Sequence, residues 1–74
     1  MNLKEAVAVA KQQVNDLFAP DAPQDVHLEQ FLYDDHLGVW SLTIGFGLPD
    51  REDRSYKVVR VSEADKSVLS VRDR

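Results

Sequence analysis

Cysteine is missing from this 74-residue sequence, and glycine and proline occur only three times each. Without cysteine the chain has no disulfide scaffold, no cysteine-ligated zinc site and no thiol nucleophile. The longest uninterrupted apolar run, Ala6–Ala10, is too short for a secretory signal or a membrane span. These absences predict a cytoplasmic protein that does not associate with a membrane.

The charge is distributed unevenly along the chain. Residues 1–36 hold two lysines and seven acidic residues, whereas residues 37–74 hold seven basic and six acidic residues. The net charge is −4, and the acidic first half lacks the basic face that nucleic-acid binding needs, so we expect no nucleic-acid partner. The length and a hydrophobic fraction of 43% are typical of one globular domain, which we place at residues 1–74.

Residues 3–18 have the pattern of an amphipathic helix. Apolar residues recur along one face at steps of three and four, namely Leu3, Val7, Ala10, Val14 and Leu17. Asn2 with Glu5 three residues later predicts a capping box at the start. The helix is expected to end at Ala19-Pro20, because the residue before a proline disfavours the helical conformation.

From Val26 onward the apolar period changes to two. Turn residues divide this part of the chain into four predicted strands at 26–34, 39–46, 54–62 and 67–73. The short connections favour an antiparallel meander, with the helix packed on one face of the sheet. The predicted fold is therefore α+β, in the order α-β-β-β-β.

Each face of the predicted sheet has its own set of residues. The helix is expected to cover Trp40, Leu42, Ile44, Val59, Val61, Leu69 and Val71, with Trp40 as the largest contributor. The first strand has an imperfect register, because Val26 and Leu28 share one face whereas Phe31 and Tyr33 fall on the other. Either a bulge near Glu29-Gln30 shifts the phase, or both faces of this strand are partly apolar.

The last third of the chain resembles a known family. Residues 56–61 and 68–71 flank a four-residue turn and resemble the closing hairpin of PepSY-like domains. Similar small bacterial proteins share the runs Trp40–Phe46 and Arg54–Val59. The resemblance implies binding or inhibition, often of peptidases, and supplies no catalytic residues. Ser62 and Lys66 replace the Asp and Gly of the family's turn, so either Lys66 is left-handed or the turn type differs.

Metal binding and catalysis have little support in the sequence. Asp34, Asp35 and His36, with His27 as a further candidate ligand, are the closest approach to a metal site, but acidic residues are also ordinary in hairpin turns. The serines and histidines form no nucleophile motif, and Gly45-Phe46-Gly47 precedes no helix that could bind phosphate. We therefore predict no enzyme activity, no metal site and no cofactor.

The sheet face opposite the helix is the most informative feature. By alternation it is expected to present Phe31, Tyr33, Val39, Ser41, Thr43, Tyr56, Val58, Arg60 and Val68. Aromatic residues together with an arginine are typical of interface hot spots, although cross-strand pairs of this kind also simply stabilise a sheet. The sequence thus predicts a non-catalytic module that binds a protein partner or a second copy, through this face or an edge strand. The alternative is a small-ligand or metal-binding sensor that uses the sheet and His36.

Overall fold

A computed structural model describes all 74 residues and has one helix packed on a four-stranded sheet. The elements are α1 (Leu3–Leu17), a 3-10 helix (Ala19–Asp21), β1 (Gln24–Asp34), β2 (Val39–Gly47), β3 (Ser55–Ser62) and β4 (Val68–Asp73). The sheet is antiparallel with the order β1-β2-β3-β4, which confirms the predicted α+β meander. Neither helix has the length and apolar character required to cross a membrane.

Helix α1 begins with the capping box that the sequence predicts. The Asn2 side chain accepts a hydrogen bond from the Glu5 backbone N–H at 2.8 Å, and the Glu5 carboxylate accepts one from the Asn2 N–H at 3.1 Å. These two bonds satisfy N–H groups that a helix start otherwise leaves without partners. The helix ends at Leu17, and a 3-10 turn containing Pro20 follows where the sequence predicts only loop.

The core lies between α1 and the middle of the sheet. Its fully buried residues are Ala6, Ala10, Val14, Leu42, Ile44, Phe46, Val59 and Val61. Two alanines in the centre of the helix face let the helix backbone lie close to the sheet. Phe46 is the largest fully buried side chain, whereas Trp40 is only partly buried at the margin of this core. Trp40 thus packs against the core, as predicted, but it is not one of the fully buried residues.

Two leucines predicted to be in the core are half exposed. Leu17 comes at the last turn of α1, and Leu69 is the additional residue where the β3–β4 register shifts; each is 51% exposed. The Val61↔Val68 and Val59↔Val71 pairs fill the positions beside the core instead. The helix stripe is thus wrong at Leu17, and the β4 pattern is wrong at both Val68 and Leu69, which exchange their predicted places.

Two of the connections between strands contain a residue in the left-handed conformation. Gly38 closes the β1–β2 turn with a φ of 64°, as its position predicts. Lys66 in the β3–β4 turn has a φ of 60°, which decides between the two alternatives for this turn. β1 begins two residues earlier than predicted, while the other strand boundaries differ from the predicted ones by at most one residue.

Candidate functional site

The open face of the sheet, on the side away from α1, carries six of the nine residues that the sequence predicts for it. Strand register determines the face, because residues directly opposite each other on antiparallel strands point to the same side. The pairs Thr43↔Val58 and Ser41↔Arg60, together with Gly45↔Tyr56, alternate with the core pairs Leu42↔Val59 and Ile44↔Lys57. On this face lie Val39, Ser41, Thr43, Tyr56, Val58 and Arg60.

Phe31 and Tyr33 lie on the helix side of the sheet, so their predicted placement on the open face is wrong. Phe31 pairs with Leu42 and Tyr33 pairs with Trp40, both of which point towards α1. The cause is the register shift between Leu28 and Gln30, where Glu29 is an additional residue in β1. Because side chains alternate with a period of two, one additional residue moves the following part of the strand to the other face.

A second bulge moves Val68 away from its predicted position. The β3–β4 register shifts between Arg60 and Val61, so that Val68 pairs with Val61 and packs against the core. Ser70 takes the open-face position opposite Arg60. The open face therefore loses Phe31, Tyr33 and Val68 from its predicted apolar set.

What remains of the open face is a mixture of polar and aliphatic residues. Val39 and Thr43 are only 7% exposed because neighbouring side chains cover them. A Cβ added to Gly45 would lie 2.6 Å from a Glu29 carboxylate oxygen and 3.0 Å from the Tyr56 ring, which places both side chains above this glycine. Glu29 also lies 3.8 Å from the Arg54 guanidinium. The face is therefore well packed in itself and has no large apolar patch.

The largest exposed apolar group of the sheet lies instead along the distal part of β1. Phe31, Leu32 and Tyr33 are 51%, 67% and 40% exposed, and Leu37 in the following turn is 64% exposed. β1 is an edge strand, so the backbone groups on its outer side have no partner strand. We call Phe31, Leu32 and Tyr33, with the outer backbone of Gln30–Asp34, the β1 edge.

Leu32 is the residue of the β1 edge that the binding-site prediction missed. It pairs with Ser41 and therefore points to the open face, while Phe31 and Tyr33 point to the other side. Two features of the sequence could have indicated Leu32. Residues 31–33 are three consecutive apolar residues without charge or proline, and the first strand of a meander lies at the edge of the sheet. Such a run exposes apolar side chains on both faces at once.

Tyr33 is held in place by a group of contacts at the start of α1. Its ring centroid lies 4.7 Å from that of Trp40, and the Trp40 indole N–H donates a hydrogen bond to the Glu63 carboxylate. Glu63 also accepts a hydrogen bond from the Met1 ammonium at 2.8 Å. The Met1 ammonium and, second, the Trp40 N–H lower the pKa of Glu63. These contacts fix the Trp40 ring against which Tyr33 packs.

The acidic turn after β1 uses its carboxylate for backbone bonds. Asp34 accepts hydrogen bonds from the N–H groups of His36 and Leu37, at 3.0 Å and 3.1 Å. His27 pairs with Gly45 near the opposite end of β1, so at about 3.3 Å per residue it lies on the order of 20 Å from this turn. His27 and the turn therefore do not come together, and no group of three or more His, Asp or Glu residues is placed to hold a metal ion.

A shallow hollow with several basic residues lies at the other end of the sheet. Its lining consists of Arg51, Ser55, Tyr56, Lys57, Asp73 and Arg74. The Arg74 guanidinium lies 4.1 Å from the Tyr56 ring centroid, and Lys57 forms an ion pair with Asp73. Alternation in the sequence did not indicate this hollow, because it forms where the end of β4 meets the loop before β3.

No protein-family model, no curated protein and no solved structure matches this chain, so its function must be inferred from the structure. The resemblance to PepSY-like domains stays a prediction that rests on the hairpin residues 56–71. The two surfaces that stand out are therefore the β1 edge and the basic hollow.

Proposed function

We propose that this protein is a non-catalytic binding module that pairs the β1 edge with an extended strand of a protein partner. The observation that carries the proposal is the exposure of Phe31, Leu32 and Tyr33 along an unpaired edge strand. An added strand would satisfy the outer N–H and C=O groups of β1 through a new antiparallel or parallel ladder. In such a ladder the main chain supplies affinity, and side chains of alternate residues supply specificity.

Side chains on the two faces of the β1 edge would contact different residues of the partner strand. Leu32 offers an aliphatic contact on the open face, and Phe31 and Tyr33 offer aromatic contacts on the helix side. Tyr33 is the less exposed of the two aromatics, and its ring packs on Trp40. We therefore expect a partner strand with apolar residues at successive positions, opposite 31, 32 and 33.

The open face contributes less to this proposal than the sequence suggested. Its residues Tyr56 and Arg60 are half-buried among polar neighbours and form no continuous apolar patch with Leu32. An inhibitory effect on a peptidase, which the PepSY resemblance implies, would be a special case of strand pairing. The cytoplasmic location expected from the composition would make a cytoplasmic protein the partner.

Selection of short extended peptides on the purified protein tests strand pairing. Peptides of about eight residues are selected from a random library, and their affinities are measured for the wild type, Leu32→Lys and Leu69→Lys. Leu69 is a matched control because it is a half-exposed leucine on the other edge strand, β4. We expect apolar peptides whose affinity falls by about tenfold or more in Leu32→Lys and is unchanged in Leu69→Lys.

Two results would contradict strand pairing at β1. One is a set of selected peptides that bind Leu32→Lys as tightly as the wild type. The other is a bound peptide that leaves amide hydrogen exchange unchanged in residues 30–34, because a new ladder must protect the outer N–H groups of β1. Circular dichroism of both lysine variants verifies that they remain folded.

The sensor alternative is favoured by one observation, the basic hollow. Arg51, Lys57 and Arg74 surround it, and arginine side chains suit anionic groups such as phosphate or carboxylate. An anion that binds only the folded state must raise the melting temperature. Thermal unfolding with inorganic phosphate or citrate, compared with equal ionic strength of chloride, tests this alternative; Arg51→Ala should remove any rise.

A further inference from the structure

The β1 edge is self-complementary, and we propose that its partner is a second copy of this chain. This inference rests on the proposed function, since it names the strand that pairs with β1. Two β1 strands would run antiparallel across a two-fold axis perpendicular to the sheet, as in other isologous dimers. The result would be one continuous eight-stranded sheet with both α1 helices on the same side.

The pattern of residues selects one register for this pairing. A two-fold axis perpendicular to the sheet keeps each side chain on its own face, so it can be centred only on a residue. Centred on Leu32, the pairing places Leu32 opposite itself and Phe31 opposite Tyr33 of the second copy. Each apolar residue of the β1 edge then has an apolar partner.

In the neighbouring registers Leu32 would lie opposite a polar residue of the second copy. Centred on Phe31, the axis would place Leu32 opposite Gln30, and centred on Tyr33 it would place Leu32 opposite Asp34. In the register centred on Leu32, Gln30 and Asp34 meet each other on the open face, where an amide N–H can donate to a carboxylate. No charged residue lies between positions 30 and 33, so the centre of the contact requires no charge to be desolvated.

The other edge of the sheet is less suited to pairing. β4 is interrupted by the irregularity at Leu69 and ends in the charged residues Arg72 and Asp73, both features that discourage strand addition. A β1–β4 contact would also be heterologous, so it would produce rings or open filaments and no two-fold dimer. Pairing of β1 with itself closes after two copies, which favours a dimer.

The area of the contact predicts a weak dimer. The exposed parts of Phe31, Leu32 and Tyr33 amount to on the order of 300 Å² per copy, given side chains of about 200 Å². Two copies would cover about 600 Å² of side-chain surface together with the edge backbone, which is less than the roughly 1,200 Å² of a standard interface. We expect a dissociation constant between about 10 μM and about 1 mM.

Sedimentation equilibrium across that concentration range measures the association directly. The wild type is expected to pass from monomer to dimer, without larger species. Leu32→Lys should weaken the association by about tenfold or more, because it places two ammonium groups opposite each other at the axis. Leu69→Lys should associate like the wild type.

A single engineered cysteine tests the register, since the natural chain has none. Residues directly opposite each other on antiparallel strands lie about 4.5–5.5 Å apart between Cα atoms, within the range that a disulfide spans. Leu32→Cys is therefore expected to form a disulfide-linked dimer under mild oxidation, much faster than Leu69→Cys. Equal rates for the two variants would overturn the register centred on Leu32.

The outcomes separate this inference from the proposed function. A wild type that stays monomeric at about 1 mM overturns the dimer, and if selected peptides still bind the β1 edge, strand pairing with another protein stands. A dimer that Leu32→Lys leaves intact overturns the dimer through β1. A monomer for which no peptide can be selected overturns both proposals.

Discussion

Lys66 has a left-handed backbone conformation, which is unfavourable for any residue that carries a Cβ. It lies in the β3–β4 turn with a φ of 60°, a left-handed conformation that costs a residue with a Cβ about 1 kcal/mol. Its ammonium lies 3.0 Å from the Glu5 carboxylate at the start of α1. Lys66 therefore has a strained backbone, which destabilises the turn, and a side chain that contacts Glu5 of the helix, which stabilises it.

Replacing Lys66 separates these two effects. Lys66→Gly and Lys66→Ala both lose the contact with Glu5, but only glycine relieves the left-handed backbone. We expect Lys66→Gly to be more stable than Lys66→Ala by about 1 kcal/mol in urea unfolding. Equal stabilities would show that the turn does not hold residue 66 at positive φ in solution.

At the scale of elements, the bulge at Glu29 determines which side chains β1 presents on each face. The sequence predicts the strand, its hairpin partner and the choice between a bulge and two partly apolar faces. It does not predict which alternative holds, because Phe31 and Tyr33 could lie either on the helix side of the sheet or on its open face. Only the pairing with β2 decides, since Leu28↔Ile44 and Phe31↔Leu42 must both point to the core side.

Deleting Glu29 is expected to destabilise the protein strongly. The β1–β2 turn fixes the register of residues 30–34, so the deletion would turn Val26 and Leu28 away from the core. Loss of these contacts should cost about 3 kcal/mol or more in denaturant unfolding. Glu29→Ala keeps the bulge and loses the ion pair with Arg54 and the side-chain contact above Gly45, both near the surface, so its cost should stay below about 1 kcal/mol. Similar costs for both variants would contradict this role of the bulge.

The other elements differ in how far the sequence specifies them. Helix α1 is predicted nearly to its last residue, because its apolar spacing and the Asn2–Glu5 capping box are local signals. In β4, by contrast, Val68 and Leu69 are adjacent apolar residues, so alternation alone assigns the wrong one to the core. The bulge that exchanges them depends on the pairing of β4 with β3 and has no local signal.

At the scale of the whole molecule, two carboxylates connect the start of α1 to the sheet and the β3–β4 turn, and a third braces that turn internally. Glu63 accepts bonds from the Met1 ammonium and Trp40, Glu5 contacts Lys66, and Asp65 accepts two bonds from Ser67. The pKa of each is lowered, in Glu63 first by the Met1 ammonium, in Glu5 first by Lys66 and in Asp65 first by the Ser67 hydroxyl. The folded state therefore holds all three in the charged form more strongly than the unfolded chain does.

This arrangement predicts that acid destabilises the fold. Because the pKa values are lower in the folded state, the unfolded chain binds more protons as the pH falls below the ordinary value of 4.5 for a glutamate. The stabilisation is thus complete at neutral pH and is lost as the pH falls through the lowered pKa values. Urea unfolding between about pH 7 and about pH 3 should show a midpoint that is level near neutrality and falls under acid conditions.

Glu63→Gln isolates the largest group of these contacts. The variant should be less stable than the wild type at pH 7, because a neutral amide attracts the Met1 ammonium less, and its midpoint should fall less steeply in acid. Glu52→Gln is the matched control, since Glu52 lies in the exposed loop before β3 and should change neither the level nor the slope. An acid slope that Glu63→Gln leaves unchanged would mean that Glu63 does not connect the start of α1 to the sheet through its charge.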